Sequence, residues 1–178
     1  MPDRVYFSAE DAADTNAKDA LIRDELRRQV IRAYGSLTSP TWHLIQARHD
    51  ARPYAELEAS LRARFVVRDT TDLNDDVALI LEVDGTEREW VLFLSYVAPV
   101  AAVLALTGER RLQVLAHASG DADETLLFTL LEQHGLTALS QSTLEQPIEL
   151  TLSNTLPGRV KLFQALFTDC DILPWIRP

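Results

Sequence analysis

Cysteine is nearly missing from this sequence. Cys170 is the only one, which excludes an intrachain disulfide and a cysteine-rich zinc site. That usage fits a reducing compartment, and a cytoplasmic location is expected. Long hydrophobic runs are missing as well: SYVAPVAAVLALTG is about half of a membrane-spanning helix and is broken by Pro99, so no membrane partner is expected. The opening MPDRVYFSAEDAAD is acidic and has no long apolar stretch, unlike a secretory signal. Basic residues are scarce over most of the chain. Residues 71–178 hold six of them against sixteen acids, whereas residues 1–70 hold eleven of each, so the net charge of −10 comes from the later part. Phosphate backbones are held by concentrated Lys and Arg, and no nucleic-acid partner is expected.

What is present is a core. At 178 residues and 47% apolar composition the chain can bury one substantial interior. A polar leader is expected over 1–15 and a single domain over 16–178. Asn16 and Asp19 cap a helix whose inward stripe runs through Leu21, Ile22, Leu26, Val30 and Tyr34, with Gly35 as its stop, while Arg23, Arg27 and Arg28 face water. TWHLIQ at 41–46 reads as a strand. Pro53 opens a helix with Tyr54, Leu57 and Leu61 inward, and FVVRD follows as a strand. VALILEV at 77–83 is apolar at nearly every position, the pattern of a strand covered on both faces. Asp84-Gly85 then turns the chain into REWVLFLSYV, with Trp90, Leu92, Leu94 and Tyr96 on one face and Glu89, Val91, Phe93 and Ser95 on the other. VAAVLAL at 100–106 fits a short helix or a strand, and the alanines favour the helix.

Beyond it, Asp121 caps a helix over about 122–134, with Glu124 placed for a capping box and Gly135 as its end. IELTL at 148–152 alternates like a strand, and a last helix is expected from near Pro157. The whole reads as α+β: a single compact domain with a mainly antiparallel sheet packed by several helices.

No reaction centre stands out. Asp69, Asp72, Asp75 and Asp76 are oxygen donors, but DTTDLNDD lacks the central glycine and closing glutamate of a calcium loop. His43, His49, His117 and His134 form no HExxH motif, and His117 and His134 read as polar ends of a strand and a helix. Asp169 and Asp171 flank Cys170 and disfavour its thiolate. Ser119-Gly120 is not a nucleophile elbow, and LPGRVK at 156–161 is not a phosphate loop. No cofactor, metal or catalytic residue is assigned.

The acidic character is concentrated instead. Asp72, Asp75, Asp76, Glu82, Asp84, Glu87 and Glu89 lie on the loop and hairpin around 69–89, and fourteen acids against Arg88, Arg110 and Arg111 occupy 71–149. Such a surface attracts a basic partner and speeds encounter. Trp42, Trp90 and Trp175 are candidate anchors, with Trp175 in the irregular tail singled out as either a seam cover or a contact beside the acidic face.

The acidic middle and the WVLFLSYV hairpin give the chain an overall character that resembles bacterial toxin immunity proteins. The resemblance implies a non-enzymatic acidic protein-binding domain that neutralises a toxin with a basic surface, such as a nuclease, by stoichiometric contact through Asp72 to Glu89. The alternatives are a secretion adaptor or chaperone, forming a homodimer through 100–106, and a small metal-dependent hydrolase joining Asp75 or Asp76 to His117.

Overall fold

Strands follow one another through residues 66–115 because this stretch combines apolar runs with short polar breaks. In the computed structural model, which describes residues 9–108 and 111–176, these runs pair in chain order. They are β1 (Val66–Asp69), β2 (Ala78–Asp84), β3 (Glu89–Ser95), β4 (Val100–Thr107) and β5 (Arg111–Leu115), each antiparallel to the next. β6 (Thr137–Ala138) adds a parallel pair to the start of β4, at Val100 and Ala101, beyond the reach of β5. Among the described residues six helices accompany the sheet: α1 (Ala9–Tyr34), α2 (His43–Ala51), α3 (Ala55–Arg62), α4 (Ala122–Gln133), α5 (Gln141–Leu144) and α6 (Leu162–Leu166). The fold is α+β around a mainly antiparallel sheet.

Both faces of the central strands are covered, as the unbroken apolar pattern of β2 requires. Leu81, Val83, Leu92 and Leu94 are fully buried, and on their side Trp90 meets Phe65 edge-on, just after α3. On the opposite face Phe93 meets Phe163 of α6 and Phe167 just beyond it, at ring separations of 5.2 and 6.1 Å. α1 closes this side through Leu26, Val30 and Tyr34, all buried.

Several expectations are corrected. α1 begins at Ala9, so the boundary expected at residue 16 falls inside a helix. Residues 1–8 and the side chains of Asn16, Asp19 and His43 lie outside what is described. Leu21 is 71% exposed and so leaves the inward stripe, while Arg23 turns from water to donate to Gln146 Oε1. The 41–46 segment is not a strand. Its latter part opens α2, which stops at Arg52 in the left-handed region.

VAAVLAL is strand β4, not a helix, because its two edges are claimed by β3 and β5. Val100 to Ala105 are buried there and only Leu106 of the 100–106 segment is half-exposed. Residues 148–152 keep the expected alternation, with Ile148, Leu150 and Leu152 buried, but form no ladder: the Ile148 N–H goes to Val160 and the Thr151 N–H to Leu37. The last helix starts at Leu162, after a turn at Pro157-Gly158, and spans five residues.

At α4 the Asp121 carboxylate accepts the Glu124 N–H as expected. The Glu124 carboxylate does not complete the box. It is fully buried and accepts from the Ser119 N–H, the Ser119 hydroxyl and Arg88, at 2.9, 2.5 and 2.7 Å.

The β2–β3 turn needs glycine for space. Gly85 donates its N–H to the Arg88 carbonyl, and a methyl group at Gly85 would overlap the six-membered ring of Trp90, itself 1% exposed, and sit 3.0 Å from Asp123 Oδ2. Gly85→Ala is therefore expected to destabilise the domain by about 1–3 kcal/mol through overpacking and to alter tryptophan emission. Chemical denaturation followed by fluorescence measures both, and an unchanged midpoint would mean that the Trp90 ring relaxes without cost.

Candidate protein-recognition surface

The acids expected to form one face separate into two groups, because β2 runs between them. Asp76 precedes β2 and Asp84 ends it, eight residue steps or roughly 26 Å of extended chain.

At the first end, the 72–77 loop is held by its own acids. Asp72 accepts the Asn74 N–H and side-chain amide at 3.0 and 2.7 Å, while its carbonyl takes the Asp75 and Asp76 N–H groups. Asp76 faces inward, 6% exposed, and accepts the Asp72 N–H at 2.6 Å. Burial raises its pKa above the usual carboxylate range. The charges of Asp72 and Asp75 push the same way, against the bonds from the Asp72 N–H and the Thr168 side chain. Asp75 remains exposed, with one oxygen 2.8 Å from the Asn154 amide nitrogen.

The chain then pairs with its own C-terminal segment. The Val77 N–H donates to Phe167 and the Asp169 N–H to Asp75, around a bridge between Asp76 and Thr168. Asp169 is the residue that sequence reasoning passed over. Its buried carboxylate accepts the Ser153 and Asn154 N–H groups and the Thr155 hydroxyl at 2.7, 2.8 and 2.9 Å. The only hint was the donor-rich Ser153-Asn154-Thr155 run, which lies far away in sequence.

A cavity of about 220 Å3 opens here, lined by Asp75, Asp76, Asp169, Leu73, Ile45 and Trp42 among others. Trp42 and Leu73 are 37% and 36% exposed, so an aromatic and an aliphatic side chain flank the carboxylates. Trp175, the anchor singled out from sequence, lies elsewhere. Its indole N–H donates to Glu145 at 2.7 Å and its ring meets Phe163 edge-on at 4.9 Å, so it covers the hydrophobic seam.

At the second end, charges are partly cancelled. Arg68 on β1 bonds Glu82 at 3.1 Å and Asp84 at 2.8 and 3.2 Å, reaching across the β1–β2 ladder. Arg88 is drawn to Glu124. Glu87 and Glu89 stay exposed beside an open groove at the hairpin turn, which Asp84, Arg88 and Thr107 also line.

The other chemical candidates have structural surroundings. Cys170 is pushed up to about 11, chiefly by burial and then by the charges of Asp169, Asp76 and Asp171, so its thiol is not activated at neutral pH. His134 caps the end of α4. Among the described residues, no three or more His, Cys, Asp and Glu side chains stand close enough to hold a metal ion.

Two of the three buried acids among the described residues, Glu124 and Asp76, carry opposite pH signatures. Although burial raises the Glu124 pKa, the Ser119 hydroxyl and N–H and Arg88 outweigh it and hold the group below its usual value. Its stabilisation is present above about pH 4.5 and lost as pH falls through the lowered pKa. Glu124→Gln should cost about 1–3 kcal/mol at neutral pH, with the difference narrowing below pH ~4. For Asp76 the raised pKa means that ionisation at neutral pH opposes folding. Asp76→Asn keeps an acceptor for the Asp72 N–H and should stay within about 1 kcal/mol of the parent, whereas Asp76→Ala should cost about 1–3 kcal/mol. Denaturation midpoints measured from pH 3 to 7 test both signs.

No protein-family model matches the chain, and neither a curated protein nor a solved structure shows significant similarity to it, so the surface is interpreted from its own geometry.

Proposed function

We propose that this chain is a non-enzymatic protein-binding domain that engages a basic partner through the 72–76 end of its acidic surface, acting as an immunity protein that neutralises a bacterial toxin. The observation that carries this reading is the exposed Trp42–Leu73 pair beside Asp75 at the mouth of the acidic cavity. Interface energy concentrates where a large aromatic side chain is desolvated next to a charge-complementary group, and this end supplies both. Glu87 and Glu89 at the far end contribute attraction at a distance, since no basic group is bonded to either among the described residues. Glu82 and Asp84 contribute less, because Arg68 already compensates them. A standard interface of about 800 Å2 per partner is roughly 30 Å across, comparable with the separation of the two ends.

Neutralisation on this reading is steric and stoichiometric. The domain supplies carboxylates and an apolar anchor where a toxin would present Lys or Arg, and no bond is made or broken.

The test begins with affinity capture from the native cells and continues with the purified pair. The combined Asp72→Asn, Asp75→Asn, Glu87→Gln and Glu89→Gln variant should bind at least about tenfold more weakly at low salt, with the gap closing as salt rises. Trp42→Ala should act mainly by faster dissociation, and the Glu82→Gln, Asp84→Asn pair should change affinity least. The parent protein should abolish the partner's toxicity at one-to-one stoichiometry. Binding that ignores both salt and the four-site variant would reject the surface, and a partner without toxicity would reject the immunity role.

A further inference from the structure

A second cavity has the opposite electrostatic character. Where α1, α2 and the β3–β4 connection meet, a cleft of about 600 Å3 is lined by Gln29, Arg32, Arg48, Tyr54, Tyr96 and the 97–99 turn. No acidic side chain lines it, in a chain whose net charge is −10. Gln29 and Arg32 lie one turn apart on α1, and Arg48 comes from the last turn of α2, so two separate helices each contribute an arginine to the lining of one cleft.

Neither guanidinium is used up. Arg28, Arg52, Arg62, Arg68 and Arg88 each hold a carboxylate within 3.3 Å. Arg32 and Arg48 form no ion pair or hydrogen bond with another described residue. Glu25, two turns back on α1, feels the Arg32 charge only weakly, and its oxygens are already taken by Arg28 at 2.6 Å and by the Gln29 amide at 3.0 Å. Leaving two cations facing one cleft costs repulsion that an anion between them would relieve.

The far wall is rigid and aromatic. Tyr54 and Tyr96 stack at 6.1 Å with planes 11° apart, the Tyr54 hydroxyl donates to the Ser95 carbonyl, and Tyr96 Oη sits 3.2 Å from His49 Nδ1. This pair separates the cleft from a smaller cavity that holds His49, Arg52, Glu58 and Asp69. The acids on that side therefore stand behind the tyrosine wall, and Glu58 is itself bridged by Arg52 and Arg62. The volume lies within the range of small-ligand sites, and a few charged groups beside aromatic surface is the composition such sites use.

We propose that this cleft binds the oxyanion group of a small organic ligand, a phosphate monoester or a carboxylate, between Arg32 and Arg48, with the organic part against Tyr54 and the 97–99 turn. The site is separate from the acidic surface, and its occupancy does not depend on the immunity role. A ligand bridging α1 and α2 would also tie both helices to the sheet, so binding reads out as added stability of the whole domain.

Phenyl phosphate, benzoate and phenol serve as probes, with thermal denaturation and calorimetry as readouts. Phenyl phosphate or benzoate should raise the melting temperature of the parent protein at millimolar concentration, and whichever does so identifies the anion. Phenol should not. Arg32→Gln with Arg48→Gln should weaken binding by at least roughly tenfold. Both side chains are exposed and unbonded, so this variant should melt at or slightly above the parent temperature without ligand. Arg27→Gln, on the same helix outside the cleft, should leave binding intact. Failure of both anions to bind the parent, equal binding by the double variant, or equal binding of phenol would each overturn the proposal.

Discussion

Three consecutive carbonyls at the end of α6 hold the domain together. A five-residue helix leaves most of its C-terminal acceptors without intrahelical partners, and here they are taken by three distant elements. The Tyr34 hydroxyl of α1 donates to Ala165 at 2.9 Å, the Ser95 hydroxyl of β3 to Leu166 at 2.6 Å, and the Val77 N–H entering β2 to Phe167 at 2.8 Å. All three donor residues are at most 2% exposed. Burial keeps the Tyr34 phenol protonated well beyond neutral pH, with the Asp169 charge adding to the effect, so its donor role is permanent. In a dry interior each of these bonds is worth little net gain when made but costs the full desolvation of its partner when broken. The short α6 is thus locked in position, and with it Phe163 and Phe167 over Phe93.

This junction organises both functional regions. Ser95 also accepts the Val97 and Ala98 N–H groups, which shapes the turn forming the floor of the basic cleft, while its carbonyl receives the Tyr54 hydroxyl from the cleft wall. One residue beyond Phe167, the bridge between Thr168 and Asp76 carries the chain to Asp169, which fixes the 153–155 turn and closes the acidic cavity. The two cavities of opposite sign are therefore built from the two sides of one hydrogen-bonded junction. The acids of β2 end elsewhere, and Arg68 and Arg88 place their charges at the hairpin end instead of at the loop.

Local chemistry made the hairpin, α3 and α4 legible from sequence: the apolar run in EWVLFLS, the Asp84-Gly85 turn and the Asp121 cap all act between near neighbours. β4 was misread because an all-apolar run carries no period, and only the edges of β3 and β5 decide that it is a strand. Residues 148–152 show the reverse: their alternation marks burial truly, but a ladder also needs a partner strand, and none is offered. TWHLIQ failed for a related reason, since β-branched and aromatic residues suit a strand until packing places Ile45 inward on a helix and Trp42 outward before it. For the site, composition located the acids but not their fates. Whether Asp76 turns inward while Asp75 stays out depends on a C-terminal segment some ninety residues away.

Net charge was similarly informative only as an average. A chain at −10 repels anions at long range, so any anion reaching the Arg32–Arg48 cleft must be held by short-range bonds and not by steering. For a basic protein the same field works in the opposite direction, drawing it toward the whole domain. The balanced first seventy residues supply both arginines of the cleft, while the acidic remainder supplies the recognition loop. The charge asymmetry along the chain thus becomes an asymmetry in space only where α1 and α2 fold onto the sheet. It is that docking, held by Tyr34 at α6, that gives one small domain both an acidic loop and an arginine-lined cleft.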